Sequence, residues 1–400
     1  MEKIKKSAAI IFALGTIFSF AVSGCKNKNG GGMYEPTSGT YTYNTYTAVS
    51  PSNWNALTYR DNNDRQIMSY ISSPLFEYDF ARTPDGGIDT TSHLVDYGMA
   101  VKIEDVSANY LSGGWGISEG ERNRAWKITL RNDLKWEDGS SITASDFVYS
   151  MREQLNPDFK NFRADSFYQG TIVISGAKNY FDGNEKDFSK VGFFALDDTS
   201  FVVILDQPLS LLKEDGTLSY KAAYNFGTFP LVNRELYERC KQQPVAGSKL
   251  WTTDYNSSKQ TTLSYGPYKL TYFQSGKLYV LEKNEHWYGW NDKKYEGQYQ
   301  TDRISCETVA EYNTAWMKFQ KGEIDKIGID VSIATDYKGS EQAYFTPDDF
   351  VGSIQLQSSK TALKNRETAG YDKEILAQTE FRKALSLGLD RNAYNTACTT

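Results

Sequence analysis

The chain is 400 residues long, with 44 basic and 50 acidic side chains and a formal net charge of −6. A single hydrophobic core rarely grows past about 250–300 residues, so two or more lobes are expected. The acidic balance argues against a nucleic-acid partner, since no Lys/Arg block follows the first six residues and no zinc-finger spacing occurs. Four cysteines, at 25, 240, 306 and 398, form no CxxC pair, and the only histidines are His93 and His286. A redox motif, a His-based metal site and a disulfide framework are therefore not expected, while a single Cys240–Cys306 bridge stays open. The 28 Tyr and 8 Trp either fill a core or form a stacking surface for a ligand.

In chain order, residues 1–24 read as a targeting segment: Lys3, Lys5 and Lys6 precede an apolar run over 8–22, which is short for a membrane span. Residues 26–39, with Gly30-Gly31-Gly32, read as a flexible tether. A strand is predicted over 40–47, a loop around Pro51, a helix over 64–71 and a strand at Leu75-Phe76-Glu77-Tyr78. Residues 80–125 read as loop-rich, with Asp85-Gly86-Gly87 and Ser112-Gly113-Gly114 as turns. Then comes the most informative stretch, WKITLRNDLKWEDGSSITASDFVYSM, at 126–151. Residues 126–131 alternate with the two-residue period of a half-buried strand, Leu134-Lys135-Trp136 reads as a second short strand, and Asp138-Gly139 is a tight-turn signal. Thr143 is placed as a helix N-cap with Asp146 complementing the dipole, and Phe147, Val148, Met151 and Leu155 supply one apolar face. A helix is expected from Ala177, a buried strand over 201–205 ended by Pro208, and a turn at Gly266-Pro267 leading into a strand. Asp302-Arg303-Ile304 opens another strand, residues 310–319 form an amphipathic helix closed at Gly322, and 381–391 form a last helix.

As a literal string the 126–151 block closely resembles the signature of the extracytoplasmic peptide-binding proteins of ABC importers: a strand ending in Leu-Arg, then Lys-Trp-x-(Asp/Asn)-Gly, then Thr-Ala-x-Asp-Phe-Val-Tyr-Ser. The resemblance continues at Phe229-Pro230-Leu231-Val232-Asn233, at Ser264-Tyr265-Gly266-Pro267-Tyr268, at Glu282-Lys283-Asn284-Glu285-His286-Trp287 (where Glu285 replaces a family Pro), at Lys321-Gly322-Glu323-Ile324-Asp325 and at FRKALSLGLDR over 381–391. It runs from about residue 40 to 391 and is weaker over 80–125 and 331–378. Val22-Ser23-Gly24-Cys25 resembles a bacterial lipoprotein box, which implies that Cys25 is acylated and becomes the mature N-terminus; a plain secretory cleavage site is the alternative.

The resemblance implies an α/β, type II periplasmic-binding-protein-like fold with two lobes, a hinge and an extra small domain. The expected division is a signal peptide at 1–24, a lipid tether at 25–39, lobe I at 40–72 and 193–279, an extra domain II at 73–192, and an incomplete lobe III at 280–400. Family members continue past the 381–391 helix with an acidic residue for the peptide's α-amino group, so a C-terminally truncated chain is expected. The implied function is capture of oligopeptides and delivery to an ABC permease by a monomer that is lipid-anchored outside the cytoplasm and needs no cofactor or metal. By resemblance, Thr58, Tyr59 and Asp61 in the first loop, with Phe167 and Tyr168, face the cleft; core packing is the competing reading of the last two, and Trp54 and Trp287 read as packing.

Alternatives in the same class are an oligosaccharide-binding subunit and a peptide-pheromone sensor. An enzyme would need recognisable machinery. No GxSxG, HExxH, P-loop or GxGxxG occurs, and two histidines leave few triads. A secreted glycoside hydrolase needs only two carboxylates and is the alternative from another class.

Overall fold

The computed structural model describes residues 41–398 apart from 228, 331, 338, 345–352 and 368–372. The targeting segment, the tether and Cys25 lie outside the described residues. Two four-stranded sheets carry the fold. The first is mixed, in the order Thr42–Thr47, Arg303–Thr308, Leu278–Lys283, Tyr268–Gln274. Its first strand pairs in parallel with Arg303–Thr308, from Thr42 opposite Arg303 to Thr47 opposite Thr308, and the other two pairings are antiparallel. Trp54, Ile67 and Ile71 pack with Leu270, Leu281 and Ile304 against this sheet.

The second sheet is antiparallel throughout, in the order Ala100–Asp105, Ala125–Leu130, Ser200–Ile204, Phe193–Asp197. Residues 200–204 are buried on both faces, which explains their unbroken apolar run. Helix Ala144–Gln154 lies on this sheet and buries Phe147, Met151 and Leu155 as its spacing predicts. Its N-terminus is closed by Asp146, whose carboxylate accepts from the Thr143 amide at 2.8 Å and hydroxyl at 3.2 Å.

The predicted Leu134-Lys135-Trp136 strand is only an isolated bridge between Lys135 and Ser141. The Asp138-Gly139 turn, with Gly139 at φ 87°, follows too closely for a ladder to grow. The stretch 80–125 holds more order than its turns suggest: strands Phe76–Arg82 and Ile88–Tyr97 make a hairpin, and Ala100–Asp105 joins the second sheet. Hydrogen bonding also runs across two expected boundaries. Strands Phe193–Asp197 and Ser200–Ile204 belong to the same sheet as Ala125–Leu130, and Leu278–Lys283 straddles position 279. Cys240 and Cys306 are free thiols in separate clusters, each pushed up to about 11 by burial, so the open disulfide is not formed.

Candidate solute-binding cavity

A cavity of about 800 Å³ opens where four stretches of chain converge. Tyr59 from the first stretch, Ser72, Ser73 and Pro74 from the second, Arg163 and Phe167 from the third, and Tyr224 and Phe229 from the fourth are among its lining residues, with Gln154 and Tyr265. The volume falls within the roughly 300–1,000 Å³ range of small-ligand sites.

The first wall is a tight loop. The amides of Thr58 and Tyr59 donate to the Asn55 carbonyl at 2.9 Å, and the Leu57 amide donates to the Asn55 side chain at 2.9 Å. Buried Asp64 accepts the amides of Ser52 and Asn53 at 2.9 and 3.1 Å, fastening the loop to helix Asn62–Ile71. That helix stops before Pro74, whose ring disfavours helical backbone at Ser73. The Ser72 amide caps it by donating to the Met68 carbonyl at 3.1 Å. The freed Ser72-Ser73-Pro74 segment then lines the cavity. Trp287 Nε1 donates to Ser73 Oγ at 2.9 Å, and Asn284 Nδ2 donates to the Gly266 carbonyl at 2.9 Å. Glu282-Lys283-Asn284-Glu285-His286-Trp287 thus braces the wall from behind, and neither Trp287 nor Trp54 reaches the cavity.

The second wall, 163–172, begins with a short 3-10 turn, Phe162–Phe167, and turns back at Gly170, where φ is 81°. An aromatic chain supports it. Phe147 of the signature helix stacks on Phe201 at 5.3 Å, Phe201 on Phe193 at 5.2 Å, and Phe193 meets Phe229 edge-on at 5.4 Å; Phe229 lies 6.1 Å from Phe167. The signature block therefore lies beneath the cavity, and Phe229 and Phe167 are where its aromatic stack reaches the wall.

Of the residues expected to face the cleft, Tyr59 and Phe167 line the cavity. Phe167 is also 8 % exposed, so it serves core and wall at once. Thr58 does not line it and exchanges hydrogen bonds with Asn53. Asp61 is exposed and is the N-cap of helix Asn62–Ile71, and Tyr168 packs at a tilt against Phe181, ring centres 4.9 Å apart, and is not part of the lining. Residues that sequence reading missed include Arg163, Tyr224 and Phe229. Arg163 sits between two aromatics in the very loop expected over the cleft, Phe162 and Phe167, and that was its available signal. Among the described residues no cluster of three or more His, Cys, Asp or Glu could hold a metal ion, and no helix is long and apolar enough to cross a membrane.

Two sheets with helices packed around them and a cavity where four stretches converge match the type II periplasmic-binding-protein-like α/β fold of solved peptide-binding proteins. The family model described as bacterial extracellular solute-binding proteins, family 5 Middle, matches residues 110–399, and the chain belongs to that family. The family consists of binding proteins rather than enzymes. The oligopeptide-binding protein OppA of Bacillus subtilis is 25% identical over 213 residues, covering 53% of this chain and 34% of that protein. The periplasmic oligopeptide-binding protein OppA of Salmonella typhimurium is 29% identical over 311 residues, covering 76% of this chain and 49% of its own length. Listeria monocytogenes OppA bound to peptide superposes with a TM-score of 0.56 at 19% identity, over 90% of this chain and 58% of that one. The chain spans about half the length of these relatives, or less in the Bacillus case.

Proposed function

We propose that the chain captures oligopeptides outside the cytoplasm and hands them unaltered to an ABC permease. One observation carries this reading beyond the family: the cavity of about 800 Å³, walled by Tyr59, Phe167, Phe229 and residues of four converging stretches of chain. Aromatic faces cover side chains of many kinds, and exposed loop backbone offers main-chain hydrogen bonds, a combination that tolerates varied peptide sequences. Lobes built around the two sheets would close over the guest. Thr58, Asp61 and Tyr168 then stand as neighbours of the site, with Tyr59 and Phe167 as direct contacts. The names of the relatives, oligopeptide-binding proteins, support peptide over sugar.

The test is native mass spectrometry of the protein from residue 26 onward, expressed in rich medium. A heterogeneous set of co-purifying peptides is expected. A single sugar adduct, or an empty protein that ignores peptides, would overturn the reading. We also propose that Cys25 carries the lipid anchor. Each buried lipid methylene contributes roughly 0.8 kcal/mol, so several acyl chains hold firmly. Cys25→Ser should move the protein from the membrane fraction to the soluble one, and continued membrane retention would refute the anchor.

A further inference from the structure

We propose that Arg163 is the cavity's receptor for a carboxylate on the cargo, so that the protein favours peptides presenting an anionic group at this wall. The inference rests on the reading of the cavity as a peptide site. Arg163 lines the cavity and is half-buried. Its guanidinium carbon lies 3.9 Å from the centre of the Tyr59 ring, and its Nη2 donates to the Tyr59 hydroxyl at 2.8 Å. These contacts fix the plane of the guanidinium and leave most of its five N–H donors unused.

Among the described residues no carboxylate lies within ion-pairing distance of it. Arg131 and Arg303, by contrast, are neutralised by Asp133, Asp292 and Glu282 at 2.8–2.9 Å. A second cation, also without an ion pair among the described residues, shares an aromatic neighbour with it. The guanidinium carbons of Arg60 and Arg163 lie 4.6 and 5.9 Å from the centre of the same Phe162 ring. Two like charges gathered on one aromatic repel each other until an anion joins them. Asp165, the one carboxylate among the described wall residues, accepts from Gln169 Nε2 at 3.3 Å and does not pair with Arg163. A half-buried, pre-oriented guanidinium fork with no carboxylate partner among the described residues is suited to a bidentate carboxylate. The anion can come from the C-terminus of a peptide or from an Asp or Glu side chain.

The test uses the chain from residue 26 and a pooled synthetic library of tri- to hexapeptides, read by competition and native mass spectrometry. The library contains free acids and C-terminal amides, each with and without Glu. Peptides retaining a carboxylate should bind roughly ten- to a hundredfold more tightly than amides lacking Glu. Arg163→Gln should bring the ratio of acid to neutral-amide affinity down to about one. If Glu in an amidated peptide restores affinity, the side chain is the source; if only the free acid does, the C-terminus is. Binding without any carboxylate preference, or an Arg163→Gln variant that weakens acids and neutral amides alike, would overturn the role of Arg163 while leaving peptide capture intact. No binding by any library member would overturn peptide capture itself.

Discussion

Glu137 links two family-like segments that are distant in sequence. Its amide donates to the Ser264 carbonyl at 2.8 Å, and its carboxylate accepts the Ser264 amide at 2.8 Å. The next side chain along, Tyr265, packs edge-on against Trp136 at 5.2 Å and lines the cavity. Burial pushes the Glu137 carboxyl up to about 7, against the pull of the Ser264 hydrogen bond. The folded chain therefore holds a proton there at pH values where the unfolded chain has released it. The stability from this group is fully present below pH 4.5, the ordinary value, and is lost as pH rises through about 7. Gln keeps an oxygen to accept the Ser264 amide but cannot ionise. Glu137→Gln should therefore gain stability on the parent protein between pH 5 and pH 8, read as urea midpoints at both values. Parallel pH profiles for the two proteins would show that Glu137 does not ionise as its burial implies.

Between elements, a close backbone fit lies at Gly266. A Cβ there would sit 2.5 Å from the Ser72 nitrogen and 2.6 Å from the Ile71 carbonyl carbon. Both are backbone atoms, so neither can swing away. The same contact carries paired hydrogen bonds, with the amides of Tyr265 and Gly266 both donating to the Ile71 carbonyl at 2.9 Å. Gly266→Ala should cost roughly 1–3 kcal/mol and loosen the Ser72-Ser73-Pro74 wall. Denaturant unfolding would report the first effect, and faster hydrogen exchange at the Tyr265 and Gly266 amides the second. An unchanged midpoint would mean that the two segments can separate at little cost.

This junction also shows what sequence can and cannot reveal. Gly266-Pro267 was legible as a turn, and the helix from Ala144 was legible from its cap and the spacing of Phe147 and Met151, because those signals are local. The partner of Gly266 lies nearly two hundred residues earlier, and the partner of Thr42 is Arg303; nothing in either segment names the other. Strand Ile88–Tyr97 escaped because apolar Leu94 stands on its exposed side, 60 % exposed, which blurs the apolar–polar pattern although burial itself alternates over 93–97. Tyr59 and Phe167 were reachable through family-like loops. Arg163 and Phe229 required knowing which distant loops share a wall.

At the scale of the molecule, the cavity belongs to no single element. Its first wall continues into Trp54, buried on the mixed sheet, whereas Phe167 and Phe229 belong to the large cluster on the antiparallel sheet. A ligand touching both walls gains contacts with both clusters at once, and the proposed lobe closure would draw those walls together around it. Binding should therefore stabilise the fold and compact it together. At a ligand concentration a hundred times Kd, mass action contributes about 2.7 kcal/mol. For a chain of this size that corresponds to a rise of a few degrees in Tm, measurable by calorimetry on the peptide-stripped protein after adding back its co-purified peptides. Small-angle scattering on the same samples should show a smaller radius of gyration when loaded. A rise in Tm at constant radius would mean a rigid, preformed site, and the two-body closure would have to be abandoned. A contraction abolished by Tyr59→Ala, in a variant that keeps its unloaded Tm, would place the first loop at the surface that closes on the guest.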